Sequence, residues 1–277
     1  MSNEQVALPY FGKITQGSIF CYAPNYNYEI DFSYGLIVTA RCDIVNFESK
    51  GVQCLHYVPV VPFSMWMERE GLYISLSYAI KDALNKLDSE CLGKDISIEA
   101  LLNIGNIEIC RKIIKSKDDL KLTEKFENYA MLISMSSLPF LELKKHVKIF
   151  KSQIYQLTKE IVLNSKIGYY FLRQIDPDAV CGENFICLFR EIHSISSEIA
   201  INLHNGIMLS DFCKKNNDDG IENEKVVEQI SRVTSPDIEA LMQSFSAIFT
   251  RVGIPTRYNP RVYAKTVMDG CYEILGH

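Results

Sequence analysis

The chain has 277 residues, 47% of them hydrophobic, and a formal net charge of −5. This composition excludes an intrinsically disordered chain, because such chains bury too little apolar surface to offset the entropy lost on folding. The acidic balance disfavours a general nucleic-acid coat protein, since that class uses excess lysine and arginine to displace counterions from phosphates.

The cysteine pattern and the amino terminus predict a cytoplasmic protein. Nine cysteines are scattered without C-x-x-C spacing, which is typical of reduced, mostly buried thiols. The first residues, MSNEQ, lack the basic and apolar regions of a signal peptide, and no stretch approaches the roughly 20 apolar residues of a membrane span. The five histidines have no metal-binding spacing. We therefore expect no membrane association, no metal and no cofactor.

The first part of the chain predicts a small β-sheet. Residues 18–23, 34–41 and 53–61 are rich in β-branched and aromatic side chains and are separated by turn residues. The continuous apolar run 36–38 indicates a strand buried on both faces. Three short strands rarely form a stable sheet, so the similar runs 168–175 and 184–192 are expected to complete it as a hairpin.

Helical periodicity prevails between these two groups of strands. Apolar residues recur at helical spacing from Leu72 to Leu87, and further helices are predicted over 98–104, 107–114 and 120–135. Pro139 is expected to open one long continuous helix over residues 140–164.

The carboxyl-terminal region is predicted to be mostly helical. Ser235 and Pro236 are typical of a helix start, and Gly253 and Pro255 would stop that helix. A last helix is expected over 260–275. Residues 226–233 fit either a strand or the approach to a helix, and 194–203 have no clear pattern.

These patterns predict an α+β fold: a small SH3-like β-barrel or sheet with a large helical insertion and C-terminal helices. Residues 1–63 and 168–193 would form a split β-barrel, and residues 64–167 the helical insertion. Residues 194–277 would form the C-terminal region.

The first candidate site follows the most apolar strand, at Thr39, Arg41, Cys42 and Asp43. Polar groups at the end of a buried strand are placed as catalytic groups often are. A thiol beside an arginine can act as a nucleophile, and His56 on the neighbouring strand is the candidate base. The alternative is a structural role, with a buried Cys42 and with Asp43 capping a turn.

Two groups of basic residues are candidates for binding anions. Lys144, Lys148 and Lys151 would share one face of the long predicted helix and suit phosphate contacts with nucleic acid. The alternative is an ordinary solvated helix face. Three arginines near the carboxyl terminus offer a second anion site or simply complement a helix dipole, namely Arg251, Arg257 and Arg261.

Two stretches of the chain resemble a group of uncharacterised bacterial proteins. Residues 17–20 (GSIF), 36–39 (LIVT) and 42–44 (CDI) match a pattern that begins G-[DS]-I-F and continues V-[ST]-x-x-C-D. Residues 235–255 match the C-terminal signature S-P-x-x-E-x-L-x-Q-x-F of the same group. This resemblance implies membership of a bacterial family and assigns no activity.

The first quarter of the chain also resembles PemK and MazF toxins, which are SH3-like barrels that cut RNA. Residues 17–19 and 37–39 match their opening turn and their V-[ST] strand. Ser18 stands where these toxins have an acidic residue, and Tyr34 and Gly35 stand where they have an arginine. The resemblance implies the barrel more than the nuclease.

These observations favour a non-enzymatic interaction protein. It would be an accessory or regulatory subunit of a bacterial stress, toxin–antitoxin or phage-defence system, with a protein partner encoded nearby. One alternative is a PemK- or MazF-like endoribonuclease that uses Thr39, Arg41 and His56. The second alternative is a hydrolase that depends on Cys42. The sequence lacks the phosphate-binding, dinucleotide-binding and G-x-S-x-G motifs of other common enzymes.

Overall fold

The structure, a computed structural model, describes residues 5–45, 54–92, 97–98, 103–178, 183–214 and 225–249. It confirms the predicted α+β class and contains a curled antiparallel half-barrel together with helices. The predicted helix over 260–275 and the three C-terminal arginines, Arg251, Arg257 and Arg261, lie outside the described residues.

The strands form one large and one small antiparallel sheet. They are β1 (Val6–Ala7), β2 (Ser18–Cys21), β3 (Tyr34–Ile37), β4 (Cys54–Pro62), β5 (Tyr169–Leu172), β6 (Phe185–Leu188), β7 (His193–Ser196), β8 (Ile207–Met208), β9 (Val226–Val227) and β10 (Gln229–Val233). Within the described residues the large sheet has eight strands in the order β1-β10-β2-β3-β4-β6-β5, with β7 also paired to β4. Strands β8 and β9 pair separately. The predicted hairpin of β5 and β6 therefore joins the amino-terminal strands.

The central strands are buried on both faces. Leu36 and Ile37 of β3 are adjacent and fully buried, yet they belong to two different hydrophobic clusters. The residues that point inside the half-barrel form the inner core, which includes Leu36, Val58, Tyr170, Leu172 and Cys187. Their chain neighbours pack outward against helices, which explains the continuous apolar runs in the sequence.

One short helix, α1 (Arg41–Val45), precedes β4, and helices occupy the chain between β4 and β5. The latter are α2 (Phe63–Trp66), α3 (Leu72–Cys91), α4 (Ile107–Lys115), α5 (Leu120–Met135), α6 (Phe140–Leu143) and α7 (Lys151–Val162). A π-helical turn, Met67–Gly71, joins α2 to α3. The side chain of Asn106 caps α4 by accepting the backbone N–H groups of Glu108 and Ile109.

The prediction of one continuous helix over 140–164 is wrong. A 3-10 turn, Lys144–His146, follows α6, and Phe150 leaves the helical region with φ −123° and ψ 31°. The two halves pack into different cores. Leu143 and Phe150 pack with α3 and α5, whereas Leu157 and Ile161 of α7 pack against the sheet. One straight helix cannot place its apolar stripe against both cores.

The carboxyl-terminal region contains more strand than the sequence predicts. Strand β7 is followed by α8 (Ser197–Asn202), β8, α9 (Leu209–Lys214), β9, β10 and α10 (Asp237–Phe249). Residues 229–233 thus form a strand of the large sheet. The helix that Ser235 and Pro236 predict is present as α10, and its Ile238 and Leu241 close one end of the inner core.

Side chains bridge the two edges of the half-barrel. Gln5, just before β1, accepts a hydrogen bond at Oε1 from the backbone N–H of Arg173, just after β5, at 2.8 Å. The hydroxyl of Ser231 in β10 donates to the carbonyl oxygen of Ile175. Asn164 accepts the Phe171 N–H on the free side of β5 at 2.6 Å. These contacts protect the β5 edge from pairing with another chain.

Candidate functional site

The predicted site after β3 lies on the protein surface. Arg41, Cys42 and Asp43 form the first turn of α1, and all three are exposed. The prediction that Cys42 is buried is therefore wrong, because the chain leaves the sheet at residue 38 and α1 carries the thiol outward. The Cys42 thiol lies 3.5 Å from the Asp43 carboxylate. Arg41 pairs with Glu239 of α10 at 3.5 Å.

His56 takes part in a small polar network with Thr39 and Ser194. The backbone N–H of His56 donates to Thr39 Oγ1 at 2.6 Å, and His56 Nδ1 lies 2.9 Å from Ser194 Oγ. The structure thus brings the predicted Thr39 and His56 together. Ser194, on β7, was missed because residues 194–203 show no clear pattern. Strand pairing between His56 and Ser194 alone accounts for this contact.

The three predicted phosphate-binding lysines do not share a helix face. Lys144 lies in the 3-10 turn, Lys148 in the turn that follows, and Lys151 at the start of α7. The break between α6 and α7 therefore removes the regular spacing that suggested a track for nucleic acid.

A groove lies at the open end of the half-barrel, opposite α10. We call it the mouth groove, and its volume is about 710 Å³. It forms where β3, β6 and β10 begin and where β1 and β5 end. Its apolar lining consists of Leu8, Pro9, Tyr34, Ile175, Phe185 and Ile230.

Four carboxylates surround this apolar lining: Asp176, Asp178, Glu183 and Glu228. All four residues are exposed, and none forms an ion pair with a basic side chain within the described residues. Burial raises the pKa of Tyr34, and the charges of Glu183 and Asp176 raise it further. The groove is therefore electronegative.

Gln229 provides a polar group inside the mouth groove. Its Nε2 donates to Ser18 Oγ at 2.8 Å, while its Oε1 is buried and has no hydrogen-bond partner among the described residues. A buried acceptor without a partner is costly. Next to the groove, Tyr10 and Phe11 are 50% and 104% exposed, so apolar surface continues beyond it.

The sequence did not reveal this groove because its residues come from separate segments of the chain. Asp176 and Glu183 lie in the connection of the predicted hairpin, whereas Leu8 and Glu228 each follow a strand of only two residues, β1 and β9. A strand of two residues leaves no alternation to detect.

Two other kinds of site are not found in the part of the chain that the structure describes. No three or more His, Cys, Asp or Glu side chains are grouped so as to hold a metal ion. No described helix has the length and apolarity to cross a membrane.

Comparison of the chain with protein-family models, curated proteins and solved structures gave no match.

Proposed function

We propose that this chain is a non-enzymatic interaction protein that binds a protein partner in the mouth groove. The observation that carries the proposal is the combination of apolar lining and unpaired carboxylates in one groove. Such grooves hold an apolar anchor residue of a partner while the rim selects its charge. The acidic charge, the absence of common catalytic motifs in the sequence and the resemblance to bacterial proteins together favour an accessory or regulatory subunit of a stress, toxin–antitoxin or phage-defence system. We place it in the cytoplasm, where its cysteines stay reduced.

The charge of the groove specifies the partner. Asp176, Asp178, Glu183 and Glu228 favour a segment with lysine or arginine, because complementary charge speeds association and excludes acidic segments. The apolar lining favours an aliphatic or aromatic residue between those cations. The β5 edge is occupied by Gln5 and Asn164, so the segment is expected to bind through side chains rather than by extending the sheet.

The contacts of the predicted catalytic side chains do not join Arg41 to His56. Arg41 forms an exposed ion pair with Glu239 of α10, whereas the exposed His56 contacts Ser194 through Nδ1. On this proposal bulk RNA stays intact in the presence of the protein. RNA cleavage that Arg41→Ala abolishes would instead support the endoribonuclease alternative.

Site-specific photo-cross-linking in cells of the source organism tests the proposal. A photoreactive amino acid replaces Leu8, which lines the groove and is 61% exposed. The control places it at Tyr155 of α7, which is 73% exposed and lies outside the groove. We expect one protein cross-linked at position 8 but not at position 155, through a segment of net positive charge. Equal labelling at both positions, or capture through an acidic segment, would contradict the proposal.

A further inference from the structure

A second cleft lies between the half-barrel and the helices that follow β4. Its volume is about 580 Å³, and it is lined by Asn27, Glu68, Arg69, Glu70, Tyr73 and Phe140. Three consecutive charged residues of this set, 68–70, belong to the π-helical turn. Single π-helical turns within α-helices occur often at functional sites, because they cost regular hydrogen bonding.

The carboxylate of Glu70 is the central group of this cleft. The hydroxyl of Tyr28 donates to Oε1 at 2.6 Å, and that of Tyr169 donates to Oε2 at 2.7 Å. Both tyrosines are more than nine-tenths buried. Burial and the hydrogen bond to Glu70 raise the pKa of both phenols, so both remain neutral donors at physiological pH.

No cation of the described chain neutralises this carboxylate by direct pairing. The Arg69 guanidinium lies over the Tyr28 ring, 5.7 Å from its centroid, and Lys144 Nζ lies 5.6 Å from the Phe140 centroid. Neither forms an ion pair with Glu68 or Glu70. A partly buried carboxylate held by two neutral phenols remains an unpaired charge, which a bound cation would stabilise.

We propose that this cleft binds an organic cation, an alkylammonium or guanidinium group, between the carboxylates of Glu68 and Glu70. The aromatic rings of Tyr73 and Phe140 supply apolar contacts for the rest of the ligand. Such a cationic group is present both in free amines and in the lysine and arginine side chains of proteins. This site is separate from the mouth groove and does not depend on it.

Ligand binding in the cleft is tested by titration, with the fluorescence emission of Trp66 as the signal. Trp66 is the single tryptophan of the chain, it is fully buried, and its ring lies 5.1 Å from that of Tyr169. Agmatine and n-butylammonium serve as free-amine probes, and blocked lysine and arginine amides represent protein side chains. n-Butanol serves as the neutral control. We expect a saturable change in Trp66 emission with the cations and none with butanol.

Variants assign the signal to the cleft. Glu70→Gln keeps an acceptor and a donor for the two phenols but removes the charge, so affinity is expected to fall about tenfold or more. Glu68→Gln, at an exposed position, is expected to weaken binding severalfold without affecting folding. Glu142→Gln changes an exposed carboxylate on α6 that pairs with Lys145 and does not line the cleft, and it should bind as the original protein does.

The results distinguish a free amine from a protein side chain, and both from the absence of a cation site. Tighter binding of agmatine than of the blocked amides supports a free amine, and the reverse supports a partner side chain. The proposal is overturned if no cation gives a saturable change, if butanol binds equally well, or if both Glu68→Gln and Glu70→Gln bind like the original protein. If Glu70→Gln does not fold, unchanged binding by Glu68→Gln is sufficient to overturn it.

Discussion

Cys42 differs from most other cysteines in the described part of the chain in being exposed. Cys91, Cys110, Cys187 and Cys213 are buried. Burial raises the pKa of the Cys187 thiol. Since the reactive form of a thiol is the thiolate, and since the reagent must reach it, exposure and pKa together set the order in which thiols react.

We therefore predict that Cys42 reacts with an alkylating reagent in the folded protein well before the four buried thiols. Mass spectrometry of peptides after timed alkylation measures this, and Cys42→Ser is the control. Simultaneous reaction of Cys42 and Cys187 would contradict the placement of α1 on the surface. Resistance of Cys42 would also end the hydrolase alternative, because a nucleophile must be accessible.

A polar cluster of Tyr78, Glu160 and Lys166 links α3 to α7. Burial alone would raise the pKa of Glu160, but hydrogen bonds from Tyr78 and Gln156 and the charge of Lys166 lower it. Burial and the bond to Glu160 raise the pKa of Tyr78 to about 12. Burial lowers the pKa of Lys166 against the opposing charge of Glu160.

These shifts predict a loss of stability in acid through Glu160 and in alkali through Tyr78. A lowered carboxyl pKa adds stability above its unfolded value, and that stability is lost as the pH falls through the folded value. The contribution of Tyr78 is present below its ordinary pKa and is lost as the pH rises toward about 12. Glu160→Gln should flatten the acid side of the stability curve, and Tyr78→Phe the alkaline side. Urea denaturation at a series of pH values measures both, and unchanged curves would contradict the cluster.

At the scale of elements, β-branched and aromatic composition and the bounding turn residues made five strands of the large sheet, β2 to β6, predictable. Each central strand contributes to a core on each face, so its apolar run is continuous. Gly35 of β3 has no side chain to contribute to either core, because the ring of Phe20 occupies the space where that side chain would lie. A Cβ atom at Gly35 would lie 2.1 Å from Phe20 Cζ, and Phe20 is held by the rings of Tyr57 and Phe212.

Gly35→Ala is therefore expected to destabilise the protein by roughly 1–3 kcal/mol through overpacking. Chemical denaturation measures the loss, and the double variant Gly35→Ala/Phe20→Leu should recover part of it because the smaller side chain frees the space. Destabilisation that is simply additive in the double variant would show that the two residues do not compete for one volume.

The break between α6 and α7 was not predictable from periodicity. Leu143, Phe150, Leu157 and Ile161 keep helical spacing, so the sequence indicates one helix. Whether such a stripe faces one core or two depends on tertiary packing. The predicted lysine track failed for the same reason.

At the scale of the whole molecule, the sequence does not indicate which distant segments pair as strands. Strand β10 pairs with β1 and β2 near the opposite end of the chain, and its five residues follow no strict alternation. The half-barrel and its mouth groove exist only once these segments meet. The sequence therefore indicated the strands that build the groove on one side, while the groove itself and its unpaired carboxylates required the structure.

Binding of a charged model peptide tests the central claim, recognition of a basic segment in the mouth groove, most directly. The probe is a fluorescent peptide of alternating lysine and leucine, matched by one with glutamate for lysine. Asp176→Asn/Glu228→Gln removes two of the four negative charges of the groove, and Asp88→Asn/Glu124→Gln makes the same charge change at exposed positions elsewhere. Fluorescence anisotropy at several salt concentrations gives the affinities.

We predict that the lysine peptide binds at least about tenfold more tightly than the glutamate peptide, and that added salt weakens this binding. The groove variant should lose most of the preference, and the control variant should keep it. Equal loss in both variants would mean that the peptide senses only net charge, and equal affinity for both peptides would contradict the account.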